Sequence, residues 1–219
     1  MDLALLTWGF FKQGILKQIL TEGERYIMTI FSVLTFAEQG IYDVINNLGS
    51  TAARFLFLPI EESSYFYFAQ MLHRDKPVDQ QPKNDKAKAA LVLYALLKGI
   101  SLLGLIIIVF GFSYSHLILS LFGQKLTGSP GPSLLRAHCI CVLLMGVNGV
   151  TEAYVFAAMN KDRLDAHNRA MIGLTLVFLG LSWLLSRLLG GIGFILANCA
   201  NMALRIGYRW RFACVLVVA

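Results

Sequence analysis

A chain of 219 residues that is 57% hydrophobic and 15% charged, with mean hydropathy +0.63, has too few ionised groups to cover a water-facing surface, where about 25% is usual. That balance excludes a soluble globular enzyme, a disordered chain and a fibrous repeat, and leaves a multispanning membrane protein. The net charge of +6 does not point to nucleic acid, because lysines and arginines gather in short clusters between apolar runs, as they do in membrane loops.

A helix needs about 20 apolar residues to cross some 30 Å of hydrocarbon. In chain order that requirement predicts six spans, near 10–36, 41–71, 88–110, 133–159, 168–188 and 192–210. The first is interrupted by Thr21-Glu-Gly-Glu-Arg25, which puts Gly23 inside a break. A second reading lays residues 1–20 flat on the membrane and makes 27–45 the span. The second predicted span holds Pro59 and would reach about 46 Å as one straight helix, so a kink or tilt is expected. The third, ALVLYALLKGISLLGLIIIVF, is the clearest. Tyr114 to Phe122 is apolar but too short to cross, and reads as a separate helix lying at the interface or on the bundle. Connections are expected at 37–40, in a charged cytosolic loop at 73–87, in the glycine- and proline-rich GQKLTGSPGP, in the polar NKDRLDAHNR and at Gly190-Gly191. Crossing at every span puts ten basic residues on one side and only Lys125, Arg136 and Arg187 on the other, which marks the first side as cytosolic.

An ionised side chain at mid-bilayer costs about 2.5 to 3.5 kcal/mol on insertion scales, so such residues normally face a bundle interior or a wet cavity. Helical spacing aligns them here. Asp43, Asn47, Ser50, Arg54, Glu61 and Tyr65 share one stripe, as do His138, Cys141, Asn148 and Glu152, then Tyr94, Lys98 and Ser101, then Asn198, Asn201 and Arg205. Four such stripes predict a shared hydrophilic interior. The plainer reading is that they are interhelical hydrogen bonds and ion pairs that only hold the bundle together, and it is favoured for Ser50, Ser101, His138 and Cys141. The interrupted first span adds Glu22, Glu24 and Arg25, because a helix broken inside the membrane must line a cavity with its freed backbone groups.

Catalytic signatures are absent. The histidines form no H-E-x-x-H, Gly191-Ile-Gly193 lacks the third glycine of a dinucleotide loop, and no phosphate loop occurs. The four cysteines lie in apolar stretches, where a thiol acts as a small hydrophobe. The chain therefore reads as no enzyme, with no catalytic residue, metal or cofactor expected. His73-Arg74-Asp75, the one material for an acid–base transferase, is most simply a solvated loop.

Five blocks go beyond composition: Lys17-Gln-Ile-Leu-Thr-Glu-Gly-Glu-Arg-Tyr26, Tyr42-Asp-Val-Ile-Asn-Asn-Leu-Gly-Ser50, Pro59-Ile-Glu-Glu-Ser63, Asn148-Gly-Val-Thr-Glu152 and Gly193-Phe-Ile-Leu-Ala-Asn198. In this order they closely resemble the Requiring Fifty-Three family of the multidrug/oligosaccharidyl-lipid/polysaccharide (MOP) flippase superfamily, over about residues 4–206. The resemblance implies an all-α polytopic membrane bundle, one lobe of a MOP-type transporter. It implies an endoplasmic reticulum, multi-pass protein of N-glycosylation that translocates Man(5)GlcNAc(2)-diphospho-dolichol from the cytosolic to the luminal leaflet by alternating access. The alternative is a non-transporting accessory or scaffold protein of the same pathway. Family members are longer, with two six-helix lobes facing a cavity, and these spans look like the second lobe alone. The partners implied are the dolichol-diphosphate oligosaccharide, the lipid bilayer and the missing amino-terminal lobe. The end after Arg205 departs from the family pattern.

Joined to the charges, the resemblance makes Arg25, Arg54 and Lys98 candidates for gripping phosphate, with Arg205 beside them. Glu22, Glu24, Asp43, Asn47, Glu61, Glu152 and Asn198 are candidates for sugar hydroxyls, or for pairing those cations when the site is empty.

Overall fold

The computed structural model describes residues 34–72, 82–159 and 161–218. The described residues form an all-α membrane helix bundle: α1 (Phe36–Leu56), α2 (Leu58–Met71), α3 (Lys83–Phe122), α4 (Gly131–Ala158), α5 (Lys161–Leu189) and α6 (Gly191–Val218), with a single 3-10 turn at Gln124–Leu126. Most of the first predicted span, including Glu22, Glu24 and Arg25, lies outside the described residues, as does 73–81 of the predicted loop.

α1 begins with a reciprocal cap. The Glu38 backbone N–H donates to the Thr35 hydroxyl oxygen at 3.3 Å, and the Thr35 backbone N–H donates back to the Glu38 carboxylate at 2.9 Å. The expected kink falls where proline requires it. Pro59 has no N–H to give to the carbonyl four residues earlier, and the helix is interrupted at Phe57. Phe57 still bonds back to the Ala53 carbonyl at 2.8 Å and accepts from the Glu61 N–H at 2.9 Å, so α2 continues from α1 after the break.

α4 is the hub, packed against α1, α2, α3 and α6, while α5 packs on α6. Two apolar clusters surround it. Phe57, Phe68, Leu93, Ile100, Val150 and Tyr154 belong to one, and Tyr42, Ile45, Leu119, Leu134 and Phe194 to the other. Small residues let α3 and α4 approach: a Cβ at Gly104 would overlap the Leu143 side chain, and one at Gly111 the Cys139 thiol. Asn84–Phe122, Gly131–Ala158 and Ala166–Leu189 are long and apolar enough to cross a membrane; they contain the third and fifth predicted spans and all but the last residue of the fourth.

Four sequence expectations change. Tyr114 to Phe122 is no separate interfacial helix but the last part of α3, whose 40 residues reach ~60 Å at 1.5 Å per residue. Residues 83–87 of the predicted loop are already helical. NKDRLDAHNR is mostly the first turns of α5 rather than a connection, since α5 begins at Lys161. α6 runs to Val218, well beyond the predicted end at 210. The Gly190 turn falls where expected, with φ +61°, and the Gly190 N–H closes α5 on the Ser186 carbonyl at 2.8 Å.

Candidate functional site

A cavity of about 720 Å³ lies between α1, α2 and α4, with Met202 of α6 at its edge. Its ionisable lining is Arg54 from α1, Glu61 and Glu62 from α2, and Glu152 from α4, joined by Asn148. Tyr65, Phe66 and Phe156 supply aromatic wall. The Pro59 break aims the site: it ends α1 just past Arg54 and starts α2 just before Glu61, so one interrupted helical path brings a cation and two carboxylates to one hollow. Glu152 stands six residues before the end of α4, ~9 Å along the axis, so the cavity lies in the half of the bundle towards that end.

Gly149 sets the position of Glu61. The carboxylate occupies the space that a Cβ at residue 149 would fill, so α4 can accept it only at a glycine. Among the described residues neither Arg54 nor Glu61 has an ion-pair partner.

Glu152 does have one. Arg209 of α6, 1% exposed, donates from Nη2 to Glu152 Oε2 at 2.5 Å and from Nη1 to Asn148 Oδ1 at 2.8 Å and the Asn148 carbonyl at 3.3 Å. A buried guanidinium is tolerated when its donors meet a charge and fixed acceptors, and α4 presents both one turn apart. Arg209 therefore stands directly behind two groups of the cavity wall.

The sequence candidates divide. Arg54, Glu61 and Glu152 meet at the cavity. Asp43 is half-buried and Asn47 exposed on α1, and neither lines it; the Ser50 hydroxyl, which does, also donates to the Asn47 carbonyl at 3.0 Å. Lys98 and Tyr94 are exposed on α3, which contributes nothing to the cavity, so the third stripe does not join the expected interior. Asn198 is half-buried away from the lining. Arg205 donates to Thr175 Oγ1 of α5 at 3.1 Å and to Asn201 Oδ1 at 3.3 Å, which ties it to the α5–α6 contact. His138 packs its ring against Gly49, between α1 and α4, and Cys141 is fully buried. Glu22, Glu24 and Arg25 lie outside the described residues. Arg209 was not among the candidates. The signal was present, because it continues the Asn198, Asn201, Arg205 stripe by one more turn.

The chain matches the family model described as Rft protein over residues 1–214. It is 56% identical over 204 residues to the Man(5)GlcNAc(2)-PP-dolichol translocation protein RFT1 of Xenopus tropicalis, covering 93% of this chain and 38% of the relative. Identity to the mouse protein of the same name is 52% over 202 residues, covering 92% and 37%. For the Saccharomyces cerevisiae protein it is 37% over 195 residues, covering 88% and 33%. The chain thus spans well under half the length of these relatives. No solved structure matches. The family match covers residues on both sides of Arg205, and the chain belongs to the Rft protein family.

Proposed function

We propose that this chain is the part of a lipid-linked oligosaccharide translocator that holds the diphosphate and inner sugars of Man(5)GlcNAc(2)-diphospho-dolichol while they pass from the cytosolic to the luminal leaflet of the endoplasmic reticulum membrane. The observation that carries this reading is the convergence of Arg54, Glu61, Glu152 and Asn148 on one hollow within an apolar bundle. Ionised groups that only glued helices together would be paired off, and Arg54 is left without a carboxylate among the described residues. A guanidinium grips phosphate oxygens bidentately, and carboxylates and amides accept from or donate to sugar hydroxyls. In this reading Arg54 takes the diphosphate, Glu61, Glu152 and Asn148 face the sugars, and the polyprenyl tail stays in lipid beside Phe66. No covalent step is needed.

The reading keeps six crossings, with the first described helical path, α1 and α2, counted as one. The positive-inside bias then places the cavity-bearing end of α4 towards the cytosol, where the substrate would enter. Alternating access requires a facing lobe, supplied in the longer relatives by the rest of their chains. Arg25, Glu22, Glu24, Lys98, Arg205, Asp43, Asn47 and Asn198 remain proposed contributors to that larger site.

Arg54→Ala in the full-length protein should lower N-glycosylation severalfold while the protein still accumulates in the membrane. Normal glycosylation at normal abundance would remove Arg54 from the phosphate site. The Arg209–Glu152 pair favours a second reading, an accessory protein whose buried charges are structural. Vesicles holding the complete protein and a labelled diphospho-dolichol oligosaccharide separate the two: movement between leaflets supports the translocator, and its absence supports the accessory role.

A further inference from the structure

We infer that Arg209 is a positioning residue that keeps the Glu152 carboxylate from competing with an incoming diphosphate for Arg54. The inference rests on the cavity reading above and deepens it. The cavity wall carries one cation, Arg54, against three carboxylates, Glu61, Glu62 and Glu152. A dianionic headgroup brought to that wall meets carboxylates that repel it and that also offer Arg54 a ready partner. Two of the three are on α2, and Glu61 is seated against Gly149. Glu152 is the carboxylate facing them from α4, with its side chain 35% exposed.

Arg209 resolves that competition from behind. It is buried at 1% exposure, reaches Glu152 at 2.5 Å, and has its other terminal nitrogen fixed by the Asn148 amide oxygen and carbonyl. A guanidinium held at both ends by one helix turn cannot follow Glu152 into the cavity. It therefore retains the carboxylate at the wall and cancels its charge there. The Asn148 amide is fixed by the same contact, with its oxygen committed to Arg209 and its NH2 left for a ligand. Arg54 stays free for phosphate because Arg209 has already satisfied Glu152.

The test is binding of a short isoprenyl diphosphate to the purified full-length protein in detergent micelles, with the matching isoprenol as a control for tail binding. Wild-type protein that binds diphosphate and alcohol alike would overturn the cavity reading itself. Given a wild-type preference for the diphosphate, Arg209→Gln should weaken its binding about tenfold, and Arg209→Gln with Glu152→Gln should recover most of the loss, because the released carboxylate is gone. Binding per folded protein is compared below each variant's melting temperature, so a stability loss alone does not register. An Arg209→Gln variant that binds as wild type, or a double variant as weak as the single one, overturns the inference. Should Arg209→Gln not fold, Glu152→Gln decides: diphosphate binding within about twofold of wild type supports the role of Arg209, because the carboxylate it removes is already cancelled there, and markedly tighter or weaker binding overturns it.

Discussion

Gly149 shows how one missing side chain places a charge. The Glu61 carboxylate fills the volume that a methyl group would need, and the flexible end of Glu61, not backbone, would have to move if one were added. Gly149→Ala should therefore leave the fold intact and raise the melting temperature slightly, since alanine is favoured over glycine in a helix by about 1 kcal/mol. Under the proposed function, leaflet exchange of labelled lipid by the full-length protein should nevertheless fall, because Glu61 is displaced. Loss of the fold instead would mean that Gly149 serves packing alone. At this scale the sequence was informative about which residues are polar but not about which way they face. Helical spacing aligned Tyr94, Lys98 and Ser101 as surely as it aligned Arg54 and Glu61, but periodicity fixes a common stripe, not the direction in which the bundle turns it. Arg209 is a different case: its stripe is legible, but it lies past residue 206, where the family resemblance in the sequence ends.

Between elements, the cap of α1 and the seam of α3 with α4 make separate predictions. The Thr35 backbone N–H and hydroxyl both donate to the Glu38 carboxylate, and these bonds hold its pKa below the ordinary carboxylate value of 4.5. A carboxyl whose folded pKa is depressed lends stability above its unfolded value and loses it as pH falls through the folded one. The cap is thus complete at neutral pH and weakens below about pH 4.5. Thr35→Ala should cost about 1 kcal/mol, read as a melting point lower by roughly 2–4 °C at pH 7, and should reduce the dependence of melting temperature on acid pH. Gly111→Leu puts a side chain against Cys139 and should destabilise by about 1–3 kcal/mol in a chemical-denaturation series. Pro59 and Gly190 announced their breaks because proline lacks a donor and glycine reaches positive φ, both properties of the residue itself. The extent of α3 was hidden because about 20 residues suffice to cross, so the apolar run after residue 110 read as a separate short piece, whereas the helix continues through Gly111 where it packs on Cys139.

For the whole molecule, the described bundle exposes large apolar side chains along α3, among them Leu91, Leu105, Val109, Phe110, Leu117 and Leu121, as expected of a surface in contact with lipid. Hydropathy alone was enough to recognise a membrane bundle, and the motif blocks were enough to recognise its family. The partition of polar groups between cavity, interhelical contact and outer surface required three dimensions. α3 carries one more implication. At ~60 Å it exceeds the hydrocarbon thickness of a typical bilayer, about 30 Å, by more than its polar first turn can absorb. The surplus must be taken up by leaning or by swelling of the leaflets around it. Reconstituted in phosphatidylcholines of graded acyl length, the protein should be more stable in the longer chains, so that bilayer thickness becomes a control on the bundle independent of any ligand in its cavity.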